Sequence, residues 1–323
     1  VTAPAPRAGA AGVSGWVEAV LFALMLAVLN VSYGVGQQTG VHPVAMLVWA
    51  MPVAALSLLA VSGLGPDWRR ILAHPLSLVV GGGIIAMEAV YYVLLGHVTP
   101  ADGSVLVRLG VPVAMLLGFL VAGRRPSLLG LVGNAVIVAT ILWYVPRMES
   151  AAPWLGLALG AICGFIMTGR AFAAESHPWN RAAVSVPEKM RVTGLVLLLA
   201  CLIGGALLAT AMTAAAEGLF APPRWLPTVD DLMHRPAILL GLFIGALVLT
   251  AMQYLGFSVV VKLGTERFVA TTALIPVVTL AVQEIAVRAG LLRAIPVDWR
   301  VVPALAGIIV GVALVIAGGR RPT

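Results

Sequence analysis

The chain has 323 residues, of which 61% are hydrophobic and only 10% charged, and its mean hydropathy is +1.04. A water-soluble domain is excluded, since its charged share would run near a quarter. The formal charge of +7 comes from Lys and Arg scattered singly or in pairs between apolar runs, which argues against a nucleic-acid-binding stripe. Cys163 and Cys201 sit in separate apolar runs without CxxC or Cys/His spacing, which argues against a zinc or redox centre and implies no cofactor.

Taken in chain order, residues 1–15 are rich in Ala, Pro and Gly and read as a disordered cytoplasmic tail. Apolar runs then predict ten transmembrane helices at about 16–36, 42–63, 71–97, 100–122, 127–146, 154–174, 187–213, 236–263, 268–287 and 301–318. Thr99 with Pro100 and Asp102, and Ser185 with Pro187 and Glu188, supply an N-cap hydroxyl, an early proline and an acid for the first turns of the fourth and seventh helices. Trp16, Trp68, Trp143, Trp154, Trp225 and Trp299 lie at span ends, where indole rings favour the membrane interface. Of the twenty Lys and Arg, thirteen fall on the loops that share a side with the N-terminus, six on the opposite loops, and Arg108 inside a span. Basic loops stay inside, so both termini are expected in the cytoplasm of a bacterial cell, with the chain multi-pass in the inner membrane.

The halves echo each other. Ala86-Met87-Glu88 in the third helix recurs as Ala251-Met252-Gln253 in the eighth, and Val111-Pro112-Val113 recurs as Ile275-Pro276-Val277. Trp16 and Trp154 open corresponding helices, and Gly133 and Gly307 sit alike in the fifth and tenth. Five being odd, the second copy enters the membrane from the opposite face. The expected fold is therefore all-α, with a first five-helix repeat at 16–148 and an inverted second repeat at 152–319, an arrangement characteristic of secondary transporters.

The run from Ala86 through Pro100, Ala101 and Pro112 to Gly123-Arg124-Arg125-Pro126 and Gly133, repeated from Ala251 to Gly318, resembles the drug/metabolite transporter superfamily and its EamA-like ten-helix members. That family commonly carries an arginine in the second helix, where this chain has Leu47-Val48-Trp49-Ala50. The resemblance implies the ten-helix fold and alternating access, for substrates that range over amino acids, drugs, sugars and other metabolites.

An ionisable group at membrane depth marks a functional hypothesis by default. Glu88 and Arg108 are both expected roughly 12 to 15 Å from the outer surface, on adjacent antiparallel helices. Two readings stand side by side: a structural ion pair between them, or a cavity in which Arg108 grips an anionic group and Glu88 meets an amine or exchanges a proton. Tyr91 and Tyr92 share the face of Glu88, and Thr250, Gln253 and Phe257 form the matching stripe on the eighth helix. Trp49 falls inside a span, and Thr272, Thr279 and Gln283 share a face of the ninth helix; each serves a cavity or helix packing. The substrate-binding set expected is thus Glu88, Arg108, Tyr91, Tyr92, Trp49, Gln253, Thr272 and Phe257, with Glu88 the proton-coupling candidate and no metal site. Asn30, Tyr33, Gln37, Gln38 and Asn134 are polar candidates of weaker claim, Glu18 and Glu284 are expected to reach the interface, and Gly307 with Gly311 form a GxxxG packing step.

The expected function is a secondary transporter exporting a small metabolite, an amino acid or related zwitterion, as a monomer or weak homo-oligomer with lipid as its surroundings. A drug or organic-cation exporter is the alternative carrier. A channel or an intramembrane enzyme is the alternative class, the latter without any HExxH or GxSxG motif in its favour.

Overall fold

The computed structural model describes residues 14–95, 97–98, 100–148, 150–293 and 300–318. Tyr92 and Gln37 have side chains outside the described residues, as do the whole of Thr99, Trp299, Arg7, Arg320 and Arg321. Helices account for nearly all of the described backbone, and no strand occurs among the described residues. In order these are α1 (Gly15–Gln38), α2 (Pro43–Ser62), α3 (Pro75–Leu95), α4 (100–122), α5 (Leu128–Tyr144), α6 (Pro153–Ser176), α7 (Val186–Ala216), α8 (Arg235–Leu263), α9 (Thr265–Arg288) and α10 (Val301–Gly318). Among the described residues nine of them are long and apolar enough to cross a membrane; α3 is apolar too, with a shorter described run, Pro75–Tyr91. The chain is an all-α, multi-pass membrane protein.

Local chemistry sets several boundaries. Ser185 forms a capping box at the start of α7, its Oγ accepting from the Glu188 N–H at 3.4 Å while Glu188 Oε2 accepts from the Ser185 N–H at 3.1 Å. The region expected as one third span divides instead into a short helix, Trp68–Leu72, and α3. His74 Nδ1 accepts the Leu76 N–H at 3.2 Å and Pro75 opens α3, so a new helix begins there. Three long helices are locally irregular. A 3-10 turn at Val107–Leu109 breaks α4, another at Thr272–Leu274 breaks α9, and a π turn at Gly245–Leu249 breaks α8.

Both 3-10 turns lie just ahead of a proline. Pro112 and Pro276 each lack an N–H and crowd the carbonyl four residues back, which belongs to Arg108 and Thr272 respectively. The helix tightens to pass the proline, and the two carbonyls take nearer backbone donors, the Gly110 N–H for Arg108 and the Ile275 N–H for Thr272.

The helices pack in a regular scheme. α1 lies on α8 as α6 lies on α3; α2 meets α8 as α7 meets α3; α1 meets α9 as α6 meets α4. The pairs α2–α7 and α5–α10 each map onto themselves under the same shift of five helices. With lipid offering no hydrophobic drive between helices, close approach depends on small residues. A Cβ on Gly164 of α6 would sit 2.5 Å from the Gly110 nitrogen of α4, and one on Gly311 of α10 would sit 2.7 Å from the Gly133 carbonyl oxygen of α5. The GxxxG step is thus filled from within the chain. Trp16, Trp143, Trp154 and Trp225 are more than a third exposed, as indole rings at an interface would be.

Candidate functional site

A cavity of about 90 Å³ lies among α1, α3, α4, α6, α8 and α9, all of which contribute to its wall. It is small beside the roughly 300–1,000 Å³ of typical ligand pockets. α1 supplies Phe22, Leu26, Leu29, Asn30 and Tyr33; α3 supplies Met87, Glu88 and Tyr91; α4 supplies Ser104, Val107 and Arg108. Met167 and Arg170 come from α6, Met252 and Gln253 from α8, and Phe268, Thr272 and Ile275 from α9. Of the residues expected to bind substrate, Glu88, Arg108, Tyr91, Gln253 and Thr272 therefore meet in one place. Asn30 and Tyr33 join them.

Two expected members lie elsewhere. Trp49 donates its indole N–H to the Leu232 carbonyl at 2.8 Å and packs over Gly241, where a Cβ would fall 2.7 Å from its own; it fastens α2 to the start of α8. Phe257 is 4% exposed in the helix core, and its carbonyl accepts from Asn180 Nδ2 at 3.1 Å. Thr250 spends its hydroxyl on the Gly245 carbonyl at 2.8 Å, capping the π turn, and neither Thr279 nor Gln283 reaches the cavity wall. The Tyr92 side chain lies outside the described residues.

Arg108 is 5% exposed, and its position follows from the proline geometry. Its Nε donates to the Ser104 carbonyl at 2.9 Å. Its Nη1 donates to the Thr272 carbonyl, which also accepts the Ile275 N–H, and to Thr272 Oγ1 at 3.0 Å. The guanidinium thus bridges the two broken helices at mid-membrane. Arg108 and Thr272 each stand four residues ahead of a proline, Pro112 and Pro276, and each faces the other.

Glu88 does not pair with Arg108: no ion pair within 4 Å joins them. Its carboxylate accepts a loose bond from Tyr33 Oη at 3.5 Å and lies within Coulombic reach of Arg170. Arg170 is the cavity residue that sequence reasoning missed, having counted it among the loop cations near the end of the sixth helix. Side chains lean toward the N-terminus of their helix, so an arginine six positions before Ser176 carries its guanidinium deeper, toward the level of Glu88. Gly83 on α3 leaves room for it; a Cβ there would stand 3.0 Å from Arg170 Cβ.

One end of the bundle, where α1 begins, is crossed by polar bonds between helices. Glu18, expected at the interface, is 5% exposed and accepts from Lys262 Nζ at 2.7 Å and Ser258 Oγ at 2.8 Å. Glu175 at the end of α6 takes the Arg124 guanidinium and accepts the Thr265 N–H at 2.8 Å. Lys189 Nζ donates to Asn180 Oδ1 at 3.0 Å, and Phe22 meets Phe268 edge-on at 4.9 Å beneath the cavity. In the same layer His177 is wholly buried, its Nε2 on Ser77 Oγ at 2.9 Å. Burial, followed by the nearby His74, pushes its pKa down to about 4.

No family model matches the sequence. No curated protein matches it either. A protein known from a crystal structure shares the fold, with a TM-score of 0.59 over 95% of this chain and 97% of its own, at 19% identity.

Proposed function

We propose that the chain is a secondary transporter of the drug/metabolite type, moving a small organic metabolite, an amino acid or related zwitterion, outward across a bacterial inner membrane by alternating access. The observation that carries this reading is the mid-membrane cavity, walled by helices from both halves and holding Glu88, Arg108 and Arg170. Charged groups at that depth cost roughly 2.5–3.5 kcal/mol each on insertion scales, so they persist where they serve a path or a site. The five-helix shift that maps α1–α8, α2–α8 and α1–α9 onto α6–α3, α7–α3 and α6–α4 supports ten spans built as two inverted repeats, and the matched prolines of α4 and α9 support it at residue level.

With Arg170 in the cavity wall, the sided count of Lys and Arg becomes twelve against six, which still favours cytoplasmic termini. The alternative of an organic-cation exporter is disfavoured by the same residue, because two arginines against one glutamate repel a cation. A thermal-shift screen of the detergent-solubilised protein against a metabolite library identifies a ligand. Counterflow of that ligand in proteoliposomes then tests the reading. Saturable exchange is expected; non-saturating conductance would mean a channel, and chemical conversion an enzyme.

A further inference from the structure

We propose that the cavity is built for a small organic acid carrying one more negative than positive group, of which an acidic α-amino acid is the simplest example. This rests on the transport reading and narrows its substrate class.

The charges in the wall are Glu88, Arg108 and Arg170, one acid against two bases. No direct ion pair within 4 Å joins any of them, so the cavity carries a net positive charge in a poorly screened place. The bonds that Arg108 makes are to carbonyl and hydroxyl oxygens, which hold the guanidinium in position and leave its charge uncancelled. Asp102 lies six residues from Arg108 toward the start of α4; it is absent from the wall and accepts the Tyr144 hydroxyl at 2.5 Å. Arg170 is held by its stem against Gly83 and makes no hydrogen bond to another described residue. Its fork is free to take a carboxylate in two parallel bonds. Glu88 has only the loose 3.5 Å contact with Tyr33, which leaves acceptor capacity for an ammonium.

Charge matching then selects among ligands. A neutral zwitterion pairs one arginine and Glu88 and leaves the second arginine buried and uncompensated, which is costly. A cation adds a third positive charge. A dicarboxylate without an amine satisfies both arginines and sets a third carboxylate beside them, unpaired. An amino dicarboxylate offers one carboxylate to the Arg170 fork, a second to the remaining Nη2 of Arg108, and one ammonium to Glu88. The apolar wall of Phe22, Leu26, Met167, Met252 and Phe268 excludes water and strengthens each of these pairings.

The test uses the full chain with isosteric probes: glutamate, glutamine and glutarate, and the shorter series aspartate, asparagine and succinate. Binding is read by thermal shift and flux by proteoliposome counterflow. In the better-fitting series, the amino dicarboxylate is expected to bind at least about tenfold more tightly than its amide or its deaminated analogue, the effect of one unpaired buried charge. Arg170→Met makes the wall neutral and should lower the acid-to-amide preference by about tenfold or more. Glu88→Gln should instead raise the deaminated acid above the amino acid, and it tests the proposal independently should Arg170→Met not fold. Preference of the native protein for an amide, no binding of any acid probe, or an unchanged preference in folded Arg170→Met would overturn the proposal. Saturable counterflow of a neutral or cationic solute without acid binding would overturn it while leaving the carrier reading intact. Acid binding without flux would support the site and sink the carrier reading.

Discussion

On the proposed repeat, α6 and α8 correspond to α1 and α3, yet the two pairs are not alike. α6 packs directly on α8, and the short helix Pro178–Ala182 that follows α6 is tied to α8 through Asn180 on the Phe257 carbonyl. α1 and α3 have at most slight contact, chiefly Tyr33 on Glu88 across the cavity at 3.5 Å. Ion pairs between separate helices lie at the end where α1 begins, Glu18 with Lys262 and Glu175 and Glu266 with Arg124, and there Glu175 also accepts the Thr265 N–H and Lys189 donates to Asn180. Under the proposed alternating access, related helix pairs are held in two different arrangements, and the bonds between helices mark the end where α1 begins as the sealed one.

The largest effect is expected where the comparison predicts no movement at all. α5–α10 maps onto itself, so Gly311→Leu, which would drive a side chain into the Gly133 carbonyl and Ile137, should fall at the upper end of overpacking effects, above roughly 3 kcal/mol. Size-exclusion chromatography of the solubilised variant should show little monodisperse protein; a normal profile would mean that this pair is not a fixed hinge.

Acid should loosen the sealed end selectively. A neutral His177, with its pKa lowered from 6.5 to about 4, binds fewer protons folded than unfolded between those values. Stability is therefore full above pH 6.5 and falls by about 3 kcal/mol as pH drops toward 4, flattening below that. Hydrogen exchange followed from pH 7.5 to 4.5 should rise first around Ser77 and Pro178–Ala182. A uniform rise along all helices would contradict the local assignment.

Glu175→Gln weakens two bonds at once and should shift the open-to-closed balance by about tenfold, in keeping with charged hydrogen bonds worth roughly 1.5–3 kcal/mol. A cysteine in place of Met252, in a background lacking Cys163 and Cys201, should label correspondingly faster with an impermeant maleimide added from the side where α1 begins. Glu18→Gln should have the smallest effect, about threefold or less in the same assay. Its partner Lys262 is 38% exposed, and the Ser258 bond can persist to the amide. If Glu18→Gln outdoes Glu175→Gln, the seal lies between α1 and α8 instead of around α6.

Most of the fold was legible because long apolar runs, entry prolines and the Ser185 cap act locally. The expected tenth span, 301–318, coincides with α10, and the others differ at their ends by a few residues. The separation of Trp68–Leu72 from α3 was hidden, since His74 turns the chain through a side-chain cap that hydropathy does not register. The π turn at Gly245–Leu249 was hidden for a similar reason: nothing apolar marks a carbonyl shared with Thr250. In the site, Glu88 and Arg108 stood out because charge inside a span is rare. Arg170 did not, because six residues from a helix end looks like a loop cation until the lean of the side chain is counted. Trp49 and Phe257, expected with the site, lie away from this cavity, since aromatic groups on a span serve packing and recognition with the same surface and only their neighbours separate the two.

The bond from Arg108 to Thr272 bears on how such a chain can arise. In a dimer of identical five-helix chains placed head to tail, a residue on the twofold axis faces its own copy, and an arginine there would face an arginine in a medium that screens like charges poorly. Fusion into one polypeptide lets the two positions be written separately. One has become the cation and the other the threonine whose carbonyl and hydroxyl receive it. On the proposed repeat, this contact is therefore a mark of a gene that was doubled first and differentiated afterwards, and it could not have belonged to a symmetric ancestor.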